Sequence, residues 1–579
     1  MPLTKATQNV VEGIVSTGST GVSAGSFIVG QQYKITSLGT TTQSQWNTIA
    51  GTTGQTYVVG SLFTAATNGA SSGNGAAAVA RTLANRFADV VNVKDFGAHS
   101  ITEVGYETFD STEAIQAAIN SLSIGGTILF PCGIYKTSSA INVSIAGIIL
   151  AGENRSKTII RTTSATANVI VLDAGNVGIS NLRIEHAITR TAGSSISITT
   201  NASKIDVYQV DIVSPFIGIS IPNIAIAKFE SIDINGAVAT TGKSIVVTGG
   251  FAISFVDCIF RNDPASRPAS HIQIENVEDI IFSKCQCISG GINMNVIPGS
   301  GQAIGLLWCN DSQFDDAATA SIRLAPATGG QVNEVTINSP WIKGTTNDVL
   351  ATTVGGGTIS SLQVSNSLLV GNGEGITSSG ASNLILNGNK IGGHTTAISL
   401  TNISGAVITG NVIGSHGLYS GNTLAIFLGG TTSNVIVSNN DLRSNVTGIT
   451  DYSASPETNV FHFNSGVGGS ITPFTIPSVD WGIDFSKRSG FSIAAAGTYQ
   501  LGVGSGLVLL HNNTTGDLGM FLCYGGTVTK VSGAASMVSG AAGASQIGLA
   551  FNGTKYEISN GYVAAQQIFI STIKTRSAS

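Results

Sequence analysis

The stretch VGISNLRI at 177–184 decides the fold, because its pattern returns along the middle of the chain. The pattern is apolar-x-apolar-x-x-small-x-apolar. It reads IDVYQVDI from Ile205, AKFESIDI from Ala227, ISFVDCIF from Ile253, IIFSKCQC from Ile280 and LWCNDSQF from Leu307. It continues as VTINSPWI from Val335, LQVSNSLL from Leu362, LILNGNKI from Leu384, AVITGNVI from Ala406 and VIVSNNDL from Val435. The starts lie 22 to 29 residues apart, and self-similarity at such a period marks a solenoid. In each unit two alternating apolar positions make a strand with one buried face, two residues turn the chain, and a second short strand begins. The period is too short for a strand plus a long helix, and the gaps are rich in Gly, Asn, Ser and Thr. The expected fold is therefore all-β: a right-handed parallel β-helix in which each strand bonds to its equivalent one coil away.

The sixth position of the unit supports that register. It holds Leu182, Val210, Ile232, Cys258, Cys285, Ser312, Pro340, Ser367, Asn389, Asn411 and Asn440. Stacking places these side chains in one inward column at the spacing of neighbouring strands, about 4.8 Å. Asn389, Asn411 and Asn440 are expected to bond up and down the stack as a structural amide ladder.

Composition narrows the function. The chain has 579 residues, 72 of them Gly, with 10% charged residues and a formal net charge of −5, too neutral for a protein that binds nucleic acid by neutralising phosphates. No stretch approaches the roughly 20 apolar residues of a membrane span, and the N-terminal MPLTKATQNVVEGIV lacks the apolar run of a signal peptide. Synthesis in a cytoplasm without membrane insertion is expected. Cys132, Cys258, Cys285, Cys287, Cys309 and Cys523 form no paired CxxC motif, and Cys258 and Cys285 fall in the inward column, so they read as free thiols.

Four parts follow. Residues 1–90 carry little charge and hold a small β module, FIVGQQYKITSLGTTTQSQWNTIAGTTGQTYVVGSLFTA, then GASSGNGAAAVARTLANRF, read as a linker into a short helix. Residues 91–126 form a cap: Ala114, Ile115, Ala118, Ile119 and Leu122 share a helical face, and Asp110 with Glu113 has capping-box spacing. This helix should close the open end of the solenoid. The β-helix fills 127–470. In 471–579, runs such as GLVLLHN, LGMFLCY and QIFISTI alternate with Gly-rich turns and suggest a β-sandwich.

The succession DFGA, DSTEAIQAAI and GGTILFPCGIY resembles the entry to the pectate-lyase-like β-helix superfamily. MPLTKATQNVVEG and DVVNVKDFGA resemble bacteriophage tailspike and tail-fibre proteins. The resemblance covers residues 1 to about 465. It implies a homotrimer in the phage virion, made in the host cytoplasm, attached to the tail or baseplate through residues 1–90, with the C-terminal domain serving trimerisation or glycan contact. Its implied task is recognition of a bacterial surface polysaccharide, O-antigen or capsule, with cleavage by glycoside hydrolysis. A non-enzymatic receptor-binding fibre and a polysaccharide lyase are the alternatives, and the missing signal peptide argues against a secreted lyase. The usual acidic pair before the cap helix is reduced to Asp110 and Ser111, and no catalytic motif of the family matches residue by residue.

Outward columns supply the candidate chemistry, because a solenoid's side chains form longitudinal grooves suited to polymers. Arg183, Asp211 and Asp233 share the seventh column, with Glu230 three residues before Asp233. They read either as catalytic carboxylates, roughly 5 Å apart on adjacent coils, or as a surface ion ladder. Trp308 and Trp341, expected to point outward, sit near Asp311, Asp315, Asp316, Glu334 and Lys343. The indoles are candidate sugar platforms and the carboxylates an alternative acid–base set, against a reading in which the tryptophans pack on another chain or loop. Arg183 and Lys343 are candidate substrate contacts. His394 and His416, 22 residues apart, are expected to stack, but the next equivalent position is Asn445, so neither a metal nor any other cofactor is expected.

Overall fold

Most quoted units fold as two short strands with a sharp corner between them, and a third strand completes the coil; the units from Val177 and Ile205 turn the same corner within the single strands Gly178–His186 and Ser203–Val213. The computed structural model describes residues 16–81, 90–465 and 491–574, except 354, 416, 418, 463, 494–497, 502–505, 513, 516, 525, 553–554 and 565. In the coil that begins at Ile253, for example, the strands are Phe251–Val256, Ile259–Arg261 and Ser270–Ile274. First and second strands join into one 26-stranded parallel sheet, and third strands form a 13-stranded parallel sheet. The repeat alignment holds residue for residue: Leu182 pairs with Val210, Ala227 with Ile253, Leu307 with Val335 and Ala406 with Val435.

The corner has a backbone cause. The fifth residue of every unit lies in the left-handed region, from Asp311 at φ 48° to Gly388 at 67°. That conformation suits Gly, Asn and Asp, which accounts for Asn181, Asp257, Asn366, Gly410 and Asn439 at the same place. Inside the corner the sixth-position column is buried throughout. Phe229, Phe255 and Phe282 stack nearly parallel at centroid distances of 4.6 and 5.0 Å.

The amide ladder is present and extends one rung beyond the expected residues. Asn389 Nδ2 donates to Asn411 Oδ1, Asn411 to Asn440 and Asn440 to Asn464, each at 2.9 Å. A second ladder, unforeseen from the sequence, joins Asn422 to Asn445 at 2.9 Å. All six cysteines are free, with only Cys132 exposed.

At the N-terminal end, strand Val90–Asn92 pairs parallel with Gly126–Phe130, and helix Thr112–Asn120 lays Ile115, Ala118 and Ile119 onto the core. The capping box is absent. Ser111 is the cap residue, Glu113 is exposed, and Asp110 Oδ1 instead accepts from Thr112 N at 3.0 Å and Thr112 Oγ1 at 2.6 Å. The small N-terminal module is a four-stranded antiparallel sheet with helix Gln43–Ala50, cored by Phe27, Tyr33, Trp46 and Phe63. Part of the expected linker is its fourth strand, Ala76–Arg81, which pairs antiparallel with a strand on each side, Ala77 and Ala78 being small enough to be buried there. The helix expected after it lies outside the described residues. At the C-terminal end a five-stranded and a four-stranded sheet share a core of Leu510, Phe521, Leu549 and Ile558, a β-sandwich.

Candidate functional site

The corner between first and second strands divides the outer surface into separate faces, and this division sorts the candidate residues. On the second-strand face Arg183, Asp211 and Asp233 do form one column. Their ion pairs differ from the expected ladder. Arg155 Nε donates to Asp211 Oδ1 at 2.5 Å and Arg261 pairs with Asp233 at 2.8 Å, while Arg183 turns to Glu185 at 2.8 Å. Burial raises the Asp211 carboxyl above its ordinary range against the opposing pull of Arg155. Glu230 stands on the other side of the Ser231 corner, in register with Tyr208, and is paired to Lys228 at 2.5 Å. The three carboxylates therefore do not converge, and each is held by its own cation.

The tryptophan cluster also divides. Trp308 is on the first-strand face between Ile281 and Thr336, whereas Trp341 is on the second strand between Gln313 and Leu368. Both are partly exposed, but a corner separates them, so they do not floor one groove. Asp311 is the corner residue itself. Asp315 and Asp316 form a bulge opposite Lys343, since Phe314 pairs with Ile342 and Ala317 with Gly344. Asp316, at φ 54°, accepts from Arg267 Nη2 at 2.9 Å and Ser289 Oγ at 2.8 Å, a structural tie. Burial raises the Asp315 carboxyl, partly offset by Lys343.

The first-strand face brings the predicted Trp308, Glu334 and Glu230 beside residues that the sequence reading did not name, Asp279, Leu306, Asp206 and Tyr208. One groove of about 460 Å³ is lined by Glu278, Asp279, Leu306, Trp308 and Glu334. A second, of about 500 Å³, is lined by Lys204, Asp206, Tyr208, Lys228 and Glu230. Asp279, Leu306 and Glu334 each directly precede a quoted unit, so the repeat itself aligned them, but the residue before the unit had not been followed as a column.

Inside the solenoid, His394 Nε2 and Asp348 Oδ2 are 3.3 Å apart without hydrogen-bond alignment, both side chains fully enclosed. Burial lowers the imidazole to about 4 and pushes the Asp348 carboxyl well up. Along the stack Asn422 Oδ1 accepts from His394 N at 2.9 Å. His416 lies outside the described residues. Among the described residues no group of three His, Cys, Asp or Glu could hold a metal ion.

These features define an all-β chain built on a parallel β-helix. Residues 90–304 match the family model described as rhamnogalacturonase A/epimerase, pectate lyase-like, and residues 239–467 match that of periplasmic copper-binding protein (NosD). No curated protein matches the sequence. Among solved structures the chain is similar to tailspike protein 3 of bacteriophage CBA120, at 15% identity over 79% of this chain and 71% of that one, TM-score 0.49. It is also similar to a tailspike double mutant of E. coli bacteriophage HK620, at 11% identity over 86% and 96%, TM-score 0.48. The A-module of mannuronan C-5 epimerase AlgE4 from Azotobacter vinelandii is similar at 16% identity over 66% and 100%, TM-score 0.39.

Proposed function

We propose that this chain is a bacteriophage tailspike: a homotrimer, carried on the virion through residues 1–90, that binds a bacterial surface polysaccharide along its β-helix and cleaves it. The observation that carries the reading is the pairing of two grooves on one face. Asp206, Lys228, Ser254, Ile281 and Trp308 succeed one another along a single column, so the Tyr208 groove and the Trp308 groove lie in line. Four strand spacings separate Asp206 from Trp308, about 19 Å, a length that accommodates several linked sugars. Each groove offers an aromatic ring and carboxylates, the combination that stacks on sugar faces and bonds hydroxyls. Support also comes from the pectate-lyase-like family match over 90–304 and from the tailspike-like MPLTKATQNVVEG and DVVNVKDFGA.

Hydrolysis is the proposed chemistry. Asp211, Glu230 and Asp233 are poor candidates for it, because Arg155, Lys228 and Arg261 occupy their carboxylates and a corner separates Glu230 from the other two. A receptor-binding spike without cleavage is the second reading, favoured by that pairing. Incubation of the protein with purified O-antigen and capsular polysaccharides separates the two. New reducing ends are expected; tight binding with no new ends would favour the non-enzymatic spike.

A further inference from the structure

The residue before each quoted unit forms a column on the outer side of the first strand. Register sets Asp279 beside Leu306 and Leu306 beside Glu334, so two carboxylates stand two strand spacings apart, about 10 Å at the backbone. Leu306 and Trp308 form an apolar floor between them. Asp279 is fixed, its Oδ1 accepting from Ala252 N at 2.9 Å. Glu334 is exposed, holds no hydrogen bond or ion pair among the described residues, and can lean over Leu306. Glu278 adds a third carboxylate, and no Lys or Arg lines the groove.

We propose that Asp279 and Glu334 are the base and the acid of an inverting glycoside hydrolysis, acting on a polymer whose units at the cleaved bond are neutral or amino sugars. The proposal rests on the polysaccharide-binding reading above. The separation, shortened by the leaning glutamate, falls in the range of roughly 6.5–9.5 Å that leaves room for a water between base and sugar. Asp279, oriented by its backbone donor, takes a proton from that water as the oxygen bonds to the anomeric carbon. The glycosidic C–O bond breaks, and its electron pair leaves with the departing oxygen, which receives the proton of Glu334. Solvent then returns the proton from Asp279 to Glu334. Water is the only co-reactant. Leu306 and Trp308 place the ring, since an indole stacks on the apolar face of a sugar. The charge of the groove sets the substrate class: a uronate at the bond would meet three carboxylates and no cation, whereas a neutral unit meets no repulsion and an amino sugar is attracted. A lyase, which needs a neutralised uronate, does not fit this groove.

The test uses an array of O-antigen and capsular polysaccharides, divided into neutral, amino-sugar and uronate-containing repeats, probed with the full-length chain. Retention on neutral or amino-sugar repeats is expected. On a retained polysaccharide the wild-type chain should release reducing ends of inverted anomeric configuration, followed by proton NMR. Glu334→Gln and Asp279→Asn should each lose at least a hundredfold in turnover while still being retained on the array, and Asp233→Asn should keep the wild-type rate. Full turnover in both groove variants, products of retained configuration, an unsaturated product, no cleavage at all, or retention on uronate repeats alone would overturn the assignment and leave the binding reading standing. No retention on any polysaccharide would overturn the binding reading, and the assignment with it.

Discussion

Asn411 shows what one inward polar side chain does in a stack of coils. Its Nδ2 donates to Leu386 O at 2.8 Å and to Asn440 Oδ1 at 2.9 Å, while its Oδ1 accepts from both the backbone and side-chain nitrogens of Asn389. Asn411→Ala strands two buried donors on Asn389, its backbone N and one side-chain N–H, while Asn440 Oδ1 keeps the Asn411 backbone N; each orphaned group costs about 1–3 kcal/mol. Denaturant unfolding should show a loss of about 3 kcal/mol or more; a loss below 1 would contradict the ladder's role. His271 makes a different prediction. It is fully buried between Ser244 Oγ at 2.9 Å and Ile288 O at 2.8 Å, and burial, with Arg267 nearby, lowers it to about 4. The unfolded chain therefore takes up its proton near pH 6.5, before the folded one does, so stability is present above 6.5 and is lost as pH falls towards 4, by up to about 3 kcal/mol. His394 adds a loss of the same sign, opposed by the Asp348 that faces it, whose raised carboxyl keeps its proton in the folded chain and so favours folding as pH falls; the His271 variant isolates the histidine contribution. The denaturation midpoint should fall between pH 7 and pH 4.5, and less steeply in His271→Asn; an unchanged midpoint would contradict the burial argument. Pairings such as Arg155 with Asp211 were not legible in the sequence. Arg155 lies 56 residues earlier, in a coil that precedes the quoted units, and no repeat unit assigns it a position.

Among the elements, the corner is the one whose cost the sequence does not hide. The repeat left two residues free between its strands, and the second of them lies in the left-handed region in every quoted unit. Lys284, at φ 56°, occupies that conformation with a β-carbon that disfavours it, whereas Gly388 occupies it without one. Lys284→Gly should raise stability by about 0.5–1 kcal/mol, and Gly388→Ala, whose new methyl would stand 2.8 Å from Asn366 Oδ1, should lower it by at least as much. Thermal melts of the two variants check the pair; shifts of the same sign would contradict the corner assignment. The same element explains why the candidate site was only partly legible. Trp308 and Trp341 are in consecutive units, at the second and seventh positions. Periodicity marks both as outward, but only the backbone turn at Asp311 and Ser339 sends them to different faces.

At the scale of the molecule, the parallel register was written in the repeat, because a buried column tolerates no slip of one residue without turning every side chain over. Ends and assembly are less legible. The strand Ala76–Arg81 opens with three alanines whose pattern does not differ from a linker, and its place comes from pairing with strands on both sides. The N-terminal module carries its own core of Phe27, Tyr33, Trp46 and Phe63, separate from that of the solenoid. Deletion of residues 1–89, which keeps the pairing of Val90–Asn92 with Gly126–Phe130, should therefore leave solenoid folding and polysaccharide binding intact and abolish incorporation into virions. Loss of folding or of binding would contradict the division. Light scattering on the intact chain should give about three times 58.9 kDa; a clean monomer would contradict the trimer.

The central claim is that a polysaccharide lies along the first-strand face. Binding of a retained polysaccharide to Trp308→Ala, Tyr208→Ala and Trp341→Ala, measured by titration calorimetry, tests it most directly. Each of the first two should weaken binding about tenfold, the loss of one stacking platform, while Trp341→Ala should bind as the wild type. Loss of binding in Trp341→Ala, with Trp308→Ala and Tyr208→Ala unaffected, would place the polymer on the second-strand face and contradict it.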